Sequence, residues 1–285
     1  MITQLAKVSA PEPILIPPAA DRTMYLRVYK QFPAQSGFSL VEMAVVLMIL
    51  GLLLGGVLAA VGDSTNSIRI SNTQAELKQI EEALYGYAQA NGYLPCPATE
   101  SSGGYANPPT GNNCTRDHGF VPVATLGLNG SVNADGLLLD AWQNPYRYSV
   151  SPAGGGSYYF TSASGMGILY SNASTLLVST DTTMLRVCNS SNCSSATDII
   201  ADTVPAVVMS MGANWADLSA GSSANEQENA FGATLTGSTS GLDYNITNTR
   251  DFVDTGYSEV NYDDQLVWLS PYILFSRMIQ AGKLP

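Results

Sequence analysis

The chain carries little charge and almost no histidine. Charged side chains make up 12% of its 285 residues, and His118 is the single histidine. Twelve Lys and Arg stand against 23 Asp and Glu, for a net charge of −11. A nucleic-acid surface needs clustered cations, so direct nucleic-acid binding is not expected. Neither a phosphate-binding Gly-rich loop ending in Lys-Ser/Thr nor a dinucleotide fingerprint occurs. Any ATP-driven step must therefore be supplied by another protein. No Gly-x-Ser-x-Gly elbow marks a nucleophile for His118 to serve. That histidine, in Arg116-Asp117-His118-Gly119, is read as a loop residue with ordinary hydrogen bonds. The four cysteines lack the close pairing of a zinc ribbon, and one histidine cannot complete a zinc site. No long internal repeat is present, and no cofactor is expected.

What the chain does have is one long apolar run. From Phe38 to Gly62 the only charged side chain is Glu42. As a helix those residues extend roughly 37 Å at about 1.5 Å per residue. That is enough to cross a bilayer core of about 30 Å. A carboxylate in such a segment costs up to about 3 kcal/mol toward the bilayer centre, so Glu42 requires a partner. A free amine, made by cutting just before Phe38, would provide one. Gly37 suits such a cut because it puts no side chain in a protease's way. Arg27 and Lys30 precede the run and Asp63 follows it, which places the amino terminus in the cytoplasm.

The stretch Gly37-Phe38-Ser39-Leu40-Val41-Glu42-Met43 resembles the processing site of type IV prepilins and type II secretion pseudopilins. The resemblance implies that prepilin peptidase cuts between Gly37 and Phe38 and methylates the new Phe38 amine. It implies that Glu42 aids assembly by meeting the amine of an adjacent subunit. It further implies a structural, non-enzymatic subunit of a type IV pilus or secretion pseudopilus. The expected partners are prepilin peptidase, other pilin or pseudopilin subunits, an inner-membrane assembly platform and the membrane itself. The expected location is the inner membrane, single-pass with a periplasmic head, and then the filament.

The expected fold is α+β: a long amino-terminal helix packed on a carboxyl-terminal antiparallel β-sheet head. Residues 1–37 are polar, carry five prolines and read as a cleaved leader. Met24 would give a 14-residue leader and is the expected start; the mass of the uncut protein separates it from Met1. Residues 38–62 form the spanning and polymerising half of the helix. Residues 63–92 form its amphipathic half, with Leu77, Ile80, Leu84 and Tyr87 on one face. Asn91-Gly92 is the expected stop. Residues 93–285 form the β-rich head, whose size and irregular loops suggest a minor or tip subunit.

Within the head, strands are expected at Phe120–Val123, Tyr146–Val150, Tyr158–Phe160, Leu176–Val178, Met184–Val187, Ala206–Met209 and Asp263–Leu269. Ser219–Gly241 reads as a mobile loop. Ser270-Pro271 is the expected cap and first-turn proline of a helix over Tyr272–Gln280. Four cysteines allow three connectivities. The local pairs Cys96–Cys114 and Cys188–Cys193 are favoured for an oxidising compartment. Asp251, Asp254, Glu259, Asp263 and Asp264 form an acidic stretch. Major pseudopilins of type II secretion often bind calcium near the carboxyl terminus, which makes Asp263 and Asp264 weak calcium candidates. The spacing is not that of an EF-hand, and a solvated acidic face is the simpler expectation.

Two alternatives stand beside the filament subunit. One is a membrane-anchored periplasmic or surface binding protein or adhesin that does not polymerise. The other is a secreted enzyme whose signal peptide ends near Val57-Leu58-Ala59.

Overall fold

The computed structural model describes residues 37–151, 160–171, 184–193, 195–215, 218, 222–231, 250–258 and 261–285, without the side chains of 54–64 and 231. The chain divides into two compact units, Met1–Gly56 and Val57–Pro285. Helix α1, Leu40–Asn91, contributes to both. The fold is α+β.

In the first unit, the described side chains from Leu40 to Leu53 are exposed all round the helix. Nearly all are apolar, which suits lipid or a neighbouring helix better than water. The expected span of 38–62 extends into side chains outside the description. Among the described residues, no helix is long and apolar enough to cross a membrane.

In the second unit, α1 buries one stripe: Thr73, Leu77, Ile80, Leu84, Tyr85 and Ala88. The spacing of three and four residues keeps these side chains on one face. Tyr87, expected in the stripe, is only half-buried and packs edge-on against Tyr93, with ring centroids 6.0 Å apart. Gly92, at φ +87°, ends the helix, and its N–H donates to the Ala88 carbonyl.

The head has two sheets where one was expected. Strands β1 (His118–Phe120), β2 (Arg147–Val150), β5 (Ala206–Ser210) and β7 (Gln265–Trp268) form a four-stranded antiparallel sheet in the order β1-β2-β5-β7. Its register pairs His118 with Ser149, Val150 with Ala206 and Ser210 with Gln265. Strands β3 (Leu185–Cys188), β4 (Ile199–Val204) and β6 (Asp251–Val253) form a second sheet in the order β4-β3-β6. Its β3–β6 pair is parallel. The four-stranded sheet lies between two cores. Tyr148, Val208 and Ala206 face Leu77, Ile80 and Leu84 of α1 and Leu274 and Met278 of the last helix. Val207, Met209 and Leu266 face Leu185, Val187 and Phe252 of the second sheet. Burial on both faces explains why Ala206–Ser210 is buried at every position without alternation.

Short helices complete the unit: α2 (Val123–Leu126), α3 (Ala163–Ser171), α4 (Ala224–Phe231) and α5 (Pro271–Gln280). Val121–Val123 is not strand, because β1 stops at Phe120 and Val123 opens α2. Residues 158–159 and 176–178 lie outside the described residues, and Phe160 sits in a turn. Helix α4 falls inside the stretch expected to be a mobile loop. At α5, Pro271 takes the first turn, but Ser270 makes no side-chain cap. Its N–H instead donates to the Tyr85 hydroxyl at 2.8 Å, tying α5 to α1. Arg277 adds a two-pronged ion pair to Glu82 and lies over the Tyr85 ring.

Cys96 is bonded to Cys114 and Cys188 to Cys193, with Cα–Cα distances of 5.3 and 5.7 Å. The first closes 18 residues of sequence and the second five. By chain entropy the longer loop contributes about 3 kcal/mol and the shorter one less. Replacing Cys96 and Cys114 by Ala should therefore lower Tm by several degrees more than replacing Cys188 and Cys193. Equal losses in a thermal melt would contradict this ranking.

On the outer edge of β6, the Asn229 side chain of α4 accepts from the Val253 N–H at 2.7 Å and donates to the Val253 carbonyl at 3.0 Å. An amide side chain thus occupies the place of a neighbouring strand.

Candidate functional site

Two regions carry the residues singled out by sequence, one in each unit. In the first unit, Ser39 immediately precedes α1. Its hydroxyl accepts from the Val41 N–H at 3.2 Å, and its carbonyl accepts from the Met43 N–H at 3.1 Å. That is N-cap chemistry, with one of the orphan amides of the first turn satisfied by a side chain. Glu42 lies in that first turn, where the positive end of the helix dipole favours a carboxylate. It is exposed, and no ion pair involves it among the described residues. Phe38 is 74% exposed and Leu40 is 87% exposed. Gly37 has no neighbouring atom within 4 Å of where a Cβ would sit. The first unit therefore presents a bare glycine, an exposed aromatic, an open carboxylate and an apolar helix.

In the second unit the acidic stretch is not a solvated face. Asp263 is 2% exposed and Asp264 is 4% exposed. The Asp263 carboxylate packs against Gly212, whose φ of +63° and lack of a side chain make room for it. Its Oδ2 accepts the Ala213 N–H at 2.6 Å and the Asn214 N–H at 3.3 Å. Asp264 Oδ2 accepts from Asn229 Nδ2 at 2.8 Å. Burial pushes the Asp264 carboxyl up to about 8, against the Asn229 hydrogen bond and the Arg147 guanidinium. Asp263 and Glu226 reinforce the shift by like charge. Asp251 is spent on a two-pronged pair with Arg186 at 2.7 and 2.6 Å. Asp254 is half-buried and its carboxyl is raised by burial; residue 259 lies outside the description.

Among the described residues, these carboxylates do not gather into a three-ligand cluster. Among the described residues, the one group of three potential ligands within reach of one another is Cys188, Cys193 and Asp251. Its two sulfurs are bonded to each other, so it offers no thiolate. Asp263 spends Oδ2 on two protein donors and Asp264 spends Oδ2 on one; each leaves Oδ1 without any among the described residues.

His118 is a strand residue, not a loop residue. It lies in β1, buried, with Nδ1 2.9 Å from Ser149 Oγ across the β1–β2 pair. Ser149 is also buried, so the two form an interior cross-strand contact rather than an open reaction centre.

The model of the prokaryotic N-terminal methylation motif matches residues 33–58 of the chain. A Pseudomonas aeruginosa protein named type II secretion system core protein G is 30% identical over 119 residues. The match covers 40% of this chain and 72% of that protein. No solved structure matches the chain.

Proposed function

Because the chain belongs to the family of type IV pilin-like proteins and type II secretion pseudopilins, we propose that its amino-terminal segment is cut after Gly37, methylated at Phe38, and packed through α1 into a membrane-anchored filament. Its role is that of a pilin or pseudopilin subunit, structural rather than catalytic. Prepilin peptidase, the assembly platform and neighbouring subunits are the partners this role requires. The filament in question is a type IV pilus or a secretion pseudopilus, and the large head suits a minor subunit.

One observation carries this reading. An exposed carboxylate, Glu42, stands in the first turn of a helix whose other described side chains nearby are apolar and exposed. In an apolar surrounding such a carboxylate is stable only if a cation meets it. The methylated Phe38 amine of an adjacent subunit is that cation, and it meets Glu42 only when helices pack side by side.

Glu42→Ala should leave cleavage and membrane insertion intact and lower incorporation into the sheared filament fraction. A charge-assisted hydrogen bond contributes roughly 1.5–3 kcal/mol, so the loss should be about tenfold or more. A plain anchor that does not polymerise would show no change.

A further inference from the structure

A cavity of about 380 Å³ opens between the second half of α1 and the loop after β6. Gln74, Leu77 and Lys78 line it from α1, and Asp254, Asp264 and Gln265 supply its polar groups on the other side. Two of those groups are buried and unsatisfied. Gln265 is 8% exposed, and neither its Oε1 nor its Nε2 has a partner. Asp264 Oδ1 is likewise buried without a donor. An unmade hydrogen bond in the interior is costly, so such groups in a cavity wall mark a place where something docks. The wall offers three acceptors, the Asp254 and Asp264 carboxyls and Gln265 Oε1. A guanidinium, with five donors in a planar fork, matches these acceptors, though not the Gln265 Nε2 donor. Lys78 is the one cation among the lining residues, and its charge also acts on Glu81, on its own helix.

The second unit also displays one arginine without a hydrogen bond or ion pair among the described residues. Arg116, Arg186, Arg250 and Arg277 each pair with a carboxylate, and Arg147 is buried. Arg69 is exposed, and no hydrogen bond or ion pair involves it among the described residues. Beside it Ile68 is 55% exposed, the one large apolar side chain left exposed on α1 after residue 64 among the described residues. An exposed isoleucine next to an exposed arginine has the composition of an interface, where apolar side chains and arginine are enriched. At about 100° per residue, Gln74 and Lys78 lie roughly 140° and 180° round the helix from Arg69. Leu77, which also lines the cavity, lies about 80° from Arg69. Tyr257 of the wall accepts from Asn66 Nδ2 at 3.2 Å. The cavity therefore opens to one side of Arg69, and among the described residues no hydrogen bond or ion pair joins Arg69 to the wall of its own chain.

We propose that Arg69 of one copy docks in the cavity between α1 and the 254–257 loop of the next, where its guanidinium meets Asp264, Asp254 and Gln265. This rests on the filament reading and names the surfaces that heads use within it. In a filament, where neighbouring helices run parallel, Arg69 of one copy meeting the cavity of the next is a heterologous contact, which propagates instead of closing as a dimer.

The test uses the full-length protein in membranes, with a photoreactive amino acid at Thr255 on the cavity wall. Illumination should give a ladder of covalent multimers, with the crosslink mapping to the segment around Ile68 and Arg69 of a second copy. Arg69→Glu should reduce the ladder about tenfold without moving Tm, since Arg69 is exposed and makes no hydrogen bond or ion pair among the described residues. Arg69→Lys should retain part of it, and Asp254→Arg combined with Arg69→Asp should restore it. A ladder unchanged by Arg69→Glu, a crosslink confined to one chain, or a product that stops at the dimer would each overturn the docking. If the ladder survives Arg69→Glu while Glu42→Ala still empties the filament fraction, the docking fails and the filament reading stands. If Glu42→Ala changes nothing while the ladder depends on Arg69, the heads associate without a filament core.

Discussion

A Gly37→Val chain should reach the membrane and remain there uncut. The position tolerates a larger side chain as far as its own fold is concerned, because nothing lies within 4 Å of an added Cβ. Any loss must then arise in the protease, which has to bring the Gly37–Phe38 bond against its catalytic groups. Displacing a reacting bond by about 1 Å costs on the order of a hundredfold in rate. A β-branched side chain at the cut does at least that. The fraction of molecules starting at N-methyl-Phe38, read by mass spectrometry of membranes and sheared filaments, should fall by more than about a hundredfold. Filament incorporation should fall with it, since no amine would exist for Glu42 to meet. A mature chain starting near Ala60 would instead make the apolar segment a discarded signal peptide. Normal maturation of the valine variant would remove Gly37 from the processing site.

Asp264→Asn should make the head more stable, by an amount that grows with pH. Burial holds the Asp264 carboxyl at about 8 in the folded chain, against about 3.9 unfolded. Between those values the folded state binds one proton more than the unfolded state. Stability from this group is therefore complete below about pH 4 and is lost as pH rises toward about 8. A shift of that size corresponds to several kcal/mol at about 1.4 kcal/mol per unit. The neighbouring groups set how much of it is expressed: Asn229 and Arg147 favour the charged form, and Asp263 and Glu226 oppose it. The amide of Asn has no proton to lose, so the variant should melt close to wild type at pH 4. At pH 8 it should melt about 10 °C higher, given roughly 2–4 °C per kcal/mol for a domain of this size. Burial also raises Asp263, Asp254 and, to about 7, Glu228, so some slope should persist in the variant. An unchanged slope of Tm against pH would show that Asp264 is ionised in the fold. The same substitution should weaken the docking of Arg69. A residue that costs stability and strengthens association is the pattern expected of a binding group.

The long helix was legible because its code is local. Apolar spacing of three and four residues and Gly92 at its end are readable without knowing what packs on them. The strands buried on both faces were legible too, since runs such as Ala206-Val207-Val208-Met209 need no alternation. Helix α4 escaped because its inner face is polar: Glu226, Gln227 and Asn229 are all buried. Hydropathy cannot reveal a face made of hydrogen bonds. A signal was nevertheless present, because Ser223 stands three residues before Glu226 in a capping-box spacing. The Ser223 hydroxyl does accept the Glu226 N–H at 3.3 Å, but the Glu226 carboxylate turns to Asn214 at 2.8 Å. Strands β4 and β6 were missed for another reason. Asp202 and Asp251 are poor strand formers in isolation, and pairing with β3 decides the conformation of their segments. The acidic stretch read as solvated because only tertiary structure places Gly212 and Asn229 against it.

The Asn229 amide on β6 matters most when many heads stand close together. Packed copies face one another at a local concentration far beyond that of a free protein. Under such crowding a bare strand invites a stranger's backbone to template on it, the first step toward amyloid. With both polar atoms of Val253 already taken by Asn229, β6 has no ladder to offer there. Contacts along that side are left to side chains, which can be selective and reversible, so neighbouring heads can crowd together there without fusing into one sheet.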